Sequence, residues 1–187
     1  MIFSNKENER VELKDGRVVW LSRSIAVVVT VWFKVNGNFY LLLGKRGPGC
    51  PDEVGKWNLP CGYLDWNENL MQASAREVWE ETGVVLYDYI NQRKGKILID
   101  SLTGLPWRIT SEATADNSDK QNVSHHYGIV VEADELPKLS SDNCEPGEIS
   151  DLKWATKEDI TGLNFAFNHD KRISDFISAF QLFKKGL

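Results

Sequence analysis

Residues 25–33 read Ile-Ala-Val-Val-Val-Thr-Val-Trp-Phe, nine positions in which apolar and polar residues do not alternate. A half-exposed strand alternates, whereas an unbroken run of β-branched and aromatic residues predicts a strand covered on both faces. Such a strand needs a layer of structure on either side, which narrows the fold to a sheet packed between other elements. Asn36-Gly37-Asn38 then turns the chain into residues 39–43, so a central hairpin is expected. The run is about half of what a bilayer crossing requires. The start Met-Ile-Phe-Ser-Asn-Lys-Glu-Asn-Glu-Arg is too polar for a secretory leader, so the expectation is a cytoplasmic protein with no membrane partner.

A chain of 187 residues with 42% hydrophobic and 26% charged positions suits one well-cored domain better than two thin ones. Its formal charge of -5 argues against a general attraction to nucleic acid, and no DNA partner is expected. The acidity is concentrated. Between Gly62 and Gly83 stand five acids (Asp65, Glu68, Glu77, Glu80, Glu81) against one base, Arg76, and a cationic partner for that segment is implied. Cys50, Cys61 and Cys144 are odd in number and lack a C-x-x-C pair, so they read as reduced thiols.

Local signals order the rest. Lys14-Asp15-Gly16-Arg17 predicts the turn of an opening hairpin between residues 11–13 and 18–21. Residues 44–55, with four glycines and two prolines, form a loop. A helix is expected from Leu70 to Thr82, with Asn69 as N-cap, Gln72 completing a capping box and Gly83 as the stop. Met71, Ala75, Val78 and Thr82 form its core stripe. Strands are expected at 96–101, 126–132 and 149–154, a surface loop at 111–122 and another loop at 138–147. A closing helix over 170–185 would put Ile173, Phe176, Ile177, Phe180 and Phe183 on one face. Strands and helices mix within one α/β unit.

Glu77, Glu80 and Glu81 lie at i, i+3 and i+4 and so share one helical face, where they repel one another. A solvated acidic face tolerates this; so does a hard divalent cation bound through oxygen, with Mg²⁺ keeping room for water and phosphate. The longer string favours the cation. From Gly62 to Val84 the chain reads G-x5-E-x7-R-E-U-x-E-E-x-G-U without departure, with Glu68, Arg76, Glu77, Glu80, Glu81 and Gly83 in place. Seven fixed identities at ordinary frequencies recur by chance on the order of once per million chains of this size.

This string resembles the signature of the Nudix (MutT-like) hydrolases. Leu41-Leu42-Leu43-Gly44-Lys45-Arg46 and Lys56-Trp57-Asn58-Leu59-Pro60 resemble the family's strands ahead of the box, and residues 147–160 its late strand and helix. The resemblance implies a Nudix-type α/β/α sandwich with a mixed sheet between helices. It assigns residues 1–23 to an N-terminal hairpin extension and 24–187 to the Nudix hydrolase domain. It implies that Glu77, Glu80 and Glu81 hold Mg²⁺, with Mn²⁺ as a substitute, assisted by the carbonyl of Cys61, where many members have glycine. Glu68 supports from the loop and Arg76 orients the carboxylates. The implied reaction is attack by water on phosphorus in a nucleoside diphosphate derivative such as ADP-ribose, a nucleotide sugar or a dinucleotide. The base stays open among Glu77, Glu145 and Glu148. The family is often dimeric, so a homodimer is among the expectations.

Substrate contacts are sought outside the box. Lys45 and Arg46 are phosphate candidates, Trp66 a base-stacking candidate beside Glu68, and Trp107 with Arg108 a stacking and phosphate pair; Gly47-Pro48-Gly49 is a weaker phosphate cradle. His125 and His126, neighbours on a strand, point to opposite faces and do not share an ion. His169 is expected to pack or cap the last helix. A second reading keeps the fold as a non-catalytic nucleotide-sensing module, as in some regulators of the family.

Overall fold

The computed structural model describes residues 9–21, 25–91, 94–114 and 117–183, with backbone alone at 20–21 and 112–121. The polar start (residues 1–8), the 23/24 boundary, and Lys184 and Lys185 lie outside the described residues. Strand β1 (Glu9–Glu12) pairs antiparallel with β2 (Val18–Leu21) as a separate two-stranded sheet. Gly16 supplies the positive φ of 83° at its turn.

The central layer is a mixed eight-stranded sheet. Its spine runs β10 (Ile149–Ala155), β4 (Asn38–Arg46), β3 (Ile25–Val35), β9 (Asn117–Glu132), β7 (Lys96–Asp100). The short strands β5 (Trp57–Asn58) and β6 (Cys61–Tyr63) add to β4 and β3, and β8 (Arg108–Thr114) adds to β9. Only β3 and β9 run parallel among these pairs.

The unbroken apolar run is explained by β3's position. Val27, Val29, Val31 and Phe33 face a core completed by Ala73, Val78, Leu86 and Tyr89, from helices α1 (Leu70–Thr82) and α2 (Leu86–Ile90). Val28 and Trp32 face a second core closed by Ile173 and Phe176 of helix α4 (His169–Phe180) and by Leu182. A short helix, α3 (Lys157–Ile160), precedes α4 and is opened by a capping box of Thr156 and Asp159. Helix α1 has the bounds its signals predict: Asn69 and Gln72 exchange capping hydrogen bonds of 2.9 Å, and Gly83 closes it at φ 75°.

Two expectations change. The stretch 111–122 is no surface loop: β8 and β9 pair from Arg108↔His126 to Thr114↔Asn117, extending the sheet as a long hairpin. Its polar composition lacks the alternation that marks a strand, and the pairing is carried by the backbone ladder. The closing helix ends five residues early. Gln181 turns left-handed at φ 54°, which releases Leu182 into the core and sets Phe183 edge-on to Trp32 and Phe39. Helix α2, on a segment without clear periodicity, is not anticipated either.

Candidate active site

The box places a dense carboxylate array between α1 and the β6 end of the sheet. Arg76, 6% exposed, is its hub. All five of its N–H groups donate: Nε and Nη2 to Glu68 at 3.0 and 2.7 Å, Nη1 to Glu77 at 2.7 Å and Glu80 at 2.9 Å, and Nη2 to the carbonyl of Tyr63 at 2.8 Å. Burial works against the charge of Arg76, but the bonds from Glu68 and the charge of Glu77 hold its pKa above the ordinary value. Glu68 also caps the loop, accepting from the Asp65 N–H at 2.7 Å. Gly62 leaves room for the Glu77 carboxylate, which a Cβ at that position would displace from its place beside Arg76.

Glu81 is treated differently. It is 3% exposed, its Oε1 accepts the Cys61 N–H at 3.2 Å, and its Oε2 is buried with no hydrogen-bond partner among the described residues. Burial, then the charges of Glu77 and Glu148, pushes its pKa well above the carboxylate range. Burial also pushes Glu77 up to about 7, against the pull of Arg76. The Oδ1 of fully buried Asn58 is likewise without a partner, and it approaches, as Oε2 of Glu81 does, the open side of Gly44.

This donor set fits a hard cation: acceptor-only carboxylate oxygens, one of them orphaned and buried, in a place where protons are otherwise needed. Among the described residues no three His, Cys, Asp or Glu side chains are gathered as a preformed cage, because Glu77 and Glu80 spend oxygens on Arg76. Burial and the charge of Glu81 raise the pKa of the Cys61 thiol.

Glu148 comes to the array and Glu145 stays exposed. Burial raises the pKa of Glu148, with further pressure from Glu145 and Glu80, and Glu148 in turn raises Glu77 and Glu81. Its loop is held by the glycines of 47–49. Gly47 N–H donates to the Glu148 carbonyl at 2.7 Å and Gly49 N–H to that of Gly147 at 2.8 Å, and a Cβ on Gly47 would fall 2.1 Å from the Gly147 oxygen. Those two N–H groups are therefore committed within the protein and do not form a phosphate cradle.

Arg46 donates to Asp52 through Nε and Nη2 and lies 4.7 Å over the Phe167 ring, while Lys45 lies 5.8 Å over Trp57. The positive charge of Arg46 is felt at Glu81 and Glu148. Trp66 is 57% exposed on the box loop. Trp107 and Arg108 are drawn elsewhere: the ring packs edge-on against Phe176 and His126, and Arg108 pairs with Asp175 of α4. His126 bonds Thr110 through Nε2 at 3.0 Å and is held neutral by burial and by Arg172 and Arg108, its pKa lowered to about 3. Asn58 and Asp65 also belong to this neighbourhood, Asp65 lying 3.9 Å from Nε of Arg76; the sequence names them only within longer runs and gives them no role. A cavity of about 1000 Å³ lies between Gly83, Tyr89, Lys96 and Lys138, and none of the carboxylates of the array lines it.

The model of the NUDIX domain matches residues 23–179. The chain belongs to the Nudix family. The match to a curated protein is short: Phosphatase NudJ of Escherichia coli K12 is 57% identical over 28 residues, 15% of this chain and 18% of that one. The chain thus spans about a fifth of the length of the curated relatives it matches. Solved structures share the Nudix fold. The NUDIX domain of Shewanella oneidensis NrtR complexed with ADP ribose superposes with TM-score 0.60 at 20% identity, covering 83% of this chain and 87% of that one. The bifunctional NMN adenylyltransferase/ADP ribose pyrophosphatase of Francisella tularensis, complexed with AMP and a Mn ion, gives 0.63 at 19%, covering 83% and 41%. The Ap4A hydrolase of C. elegans gives 0.56 at 19%, covering 84% and 97%.

Proposed function

We propose that this Nudix protein is a Mg²⁺- or Mn²⁺-dependent pyrophosphohydrolase that splits the phosphoanhydride bridge of a nucleoside diphosphate derivative, with ADP-ribose and dinucleotides first among the classes to test. The observation that carries the reading is the orphaned, buried Oε2 of Glu81 beside a box whose other carboxylates are already held by Arg76. Glu77, Glu80, Glu81 and the Cys61 carbonyl would hold the metal. A bound divalent ion supplies a more acidic water and offsets charge growing on the phosphoryl oxygens.

The remaining steps belong to the chain's own residues. Arg76 fixes the rotamers of Glu77 and Glu80, so the ligand oxygens are set before substrate arrives. Glu148, desolvated and carried over the array by the 47–49 contact, takes the proton of the attacking water. Lys45 binds the diphosphate, Arg46 joins it through donors not spent on Asp52, and the exposed Trp66 offers a stacking face for a base. Arg108, occupied by Asp175, reaches a phosphate only by giving up that pair. Residues 1–23 act as an extension outside the catalytic unit.

The test is incubation of the purified chain with Mg²⁺ or Mn²⁺ and a panel of nucleoside diphosphate derivatives, products followed by phosphorus NMR, beside Glu81→Gln. Hydrolysis of one class, reduced about a thousandfold in the variant, is the expected result. A second reading, a nucleotide-sensing module, is favoured by the likeness to NrtR. It predicts tight binding of ADP-ribose with no turnover under either metal.

A further inference from the structure

Just ahead of α4 the backbone passes through two successive left-handed residues, Phe167 at φ 53° and Asn168 at φ 56°. That conformation is unfavourable for residues with a Cβ and persists only where the surroundings enforce it. The turn closes onto the segment that precedes the box. Trp57 N–H donates to the Asn164 carbonyl and Ala166 N–H to the Trp57 carbonyl, both at 2.9 Å, and Trp57 and Phe165 form an isolated parallel bridge. The left-handed turn then carries the chain away, and this ladder does not continue to Leu59. The His169 side chain replaces it. Its Nδ1 accepts the Leu59 N–H at 3.0 Å, in a site where His169 is 3% exposed.

Nδ1 must be unprotonated to accept. Burial, and then the neighbouring His126, Arg46 and Arg172, lower the His169 pKa to about 3, so the imidazole is neutral and Nε2 carries its proton. Two residues beyond Leu59, the Cys61 N–H meets Glu81. Only Pro60 lies between, a residue of restricted backbone whose carbonyl accepts from Val29 N–H at 2.9 Å. The fixed proline φ removes one soft dihedral from the link between Leu59 and Cys61 and couples their backbones, while the Val29 contact and the pairing of Cys61 with Val28 hold Cys61 from the other side.

We propose that His169 is a positioning residue of the metal site: by accepting the Leu59 N–H it sets the Cys61 backbone, whose N–H fixes Glu81 and whose carbonyl is the proposed backbone ligand. The inference rests on the metal reading above for its consequence, but its first link, His169 to Leu59, does not. His169→Asn keeps an acceptor close to the place of Nδ1; His169→Leu keeps bulk and loses the acceptor. Hydrogen exchange at the Leu59 and Cys61 amides, recorded without metal, reads the first link, and Mn²⁺ binding followed by electron paramagnetic resonance reads the second.

In His169→Leu the Leu59 amide should exchange roughly tenfold faster and Mn²⁺ should bind several-fold more weakly, while His169→Asn stays close to the parent in both. Unchanged exchange in a folded His169→Leu, or equal loss in the Asn variant, overturns the proposal. Should the Leu variant not fold, His169→Gln, whose acceptor is displaced by one methylene, takes its place with the same two outcomes. A parent that binds no Mn²⁺ overturns the metal reading and with it the second link; exchange that ignores residue 169 overturns this inference alone.

Discussion

Two halves of one carboxylate array are handled in opposite ways. Glu68, Glu77 and Glu80 surround Arg76, whose five donors are all engaged, so the protein neutralises this half with its own cation. Glu81, one turn beyond Glu77 on the same helix, is as deeply buried, yet it receives one N–H and faces the added negative charge of Glu148. A buried carboxylate without a partner is costly, and the cost falls when a cation arrives. The difference teaches a division of labour. The Arg76 half is neutralised within the fold and ties α1 to the box loop, and the Glu81 half is the end that would gain most from an ion taken from solution.

The largest effect should come from breaking the neutralised half. Arg76→Leu leaves Glu68 and Glu77 buried without their counter-charge and should cost about 3–5 kcal/mol in urea unfolding. Glu81→Gln should do the reverse in the metal-free protein, leaving stability unchanged or raising it, since it removes a buried charge that has no ion pair among the described residues. A loss under about 1 kcal/mol in Arg76→Leu would mean that packing alone holds the array, since even exposed pairs contribute up to that much. Equal destabilisation by both variants would erase the contrast.

Next in size is the pair of loop acids. Glu148→Gln should lower kcat about a hundredfold with Mn²⁺ affinity changed little, and Glu145→Gln should remain close to the parent, because only Glu148 is drawn against the array. The opposite ranking would move the base to Glu145 and show that the 47–49 contact holds the wrong acid.

That choice illustrates what was legible in the sequence. Helix α1 could be read to its ends because its signals are local: a cap, a capping partner three residues on and a glycine stop. The two-faced burial of β3 was legible because it is written in side chains alone. Glu145 and Glu148 stand three residues apart in a polar loop, and what separates them is a contact with Gly47 and Gly49 from a distant part of the chain. The β8 and β9 hairpin was hidden for a related reason, its pairing being carried by backbone rather than by apolar pattern. Trp107 and Arg108 looked like a surface pair until α4, with Phe176 and Asp175, claimed them. The box string located the carboxylates; the inequality between Glu77 and Glu81 appears only when Cys61, Tyr63 and Arg76 are brought together in space.

The smallest effect sharpens that inequality through pH. Glu77 has its pKa raised to about 7 and Glu81 is raised further, above the ordinary 4.5, while His126 and His169 are lowered from 6.5 to about 3; below pH 6.5 the two pairs oppose each other, and from pH 6.5 to 7 the carboxylates leave the folded metal-free protein more protonated than the unfolded chain. Stability then falls as pH rises through that window, because the unfolding free energy decreases with pH wherever the native state is the more protonated. The metal-free protein should accordingly melt slightly higher at pH 6.5 than at pH 7.5 in thermal scans. Mn²⁺ should reverse the order. It competes with protons for the same oxygens, so its stabilisation should be larger at pH 7.5 than at pH 6.5. In Glu81→Gln the metal-free pH dependence should flatten, since one of the two raised carboxylates is gone. In Arg76→Leu it should steepen, because Glu77 loses the charge that holds its pKa down. A metal-free pH dependence that is the same in the parent and in Glu81→Gln would show that Glu81 is already satisfied, and the contrast between the two halves would fall with it.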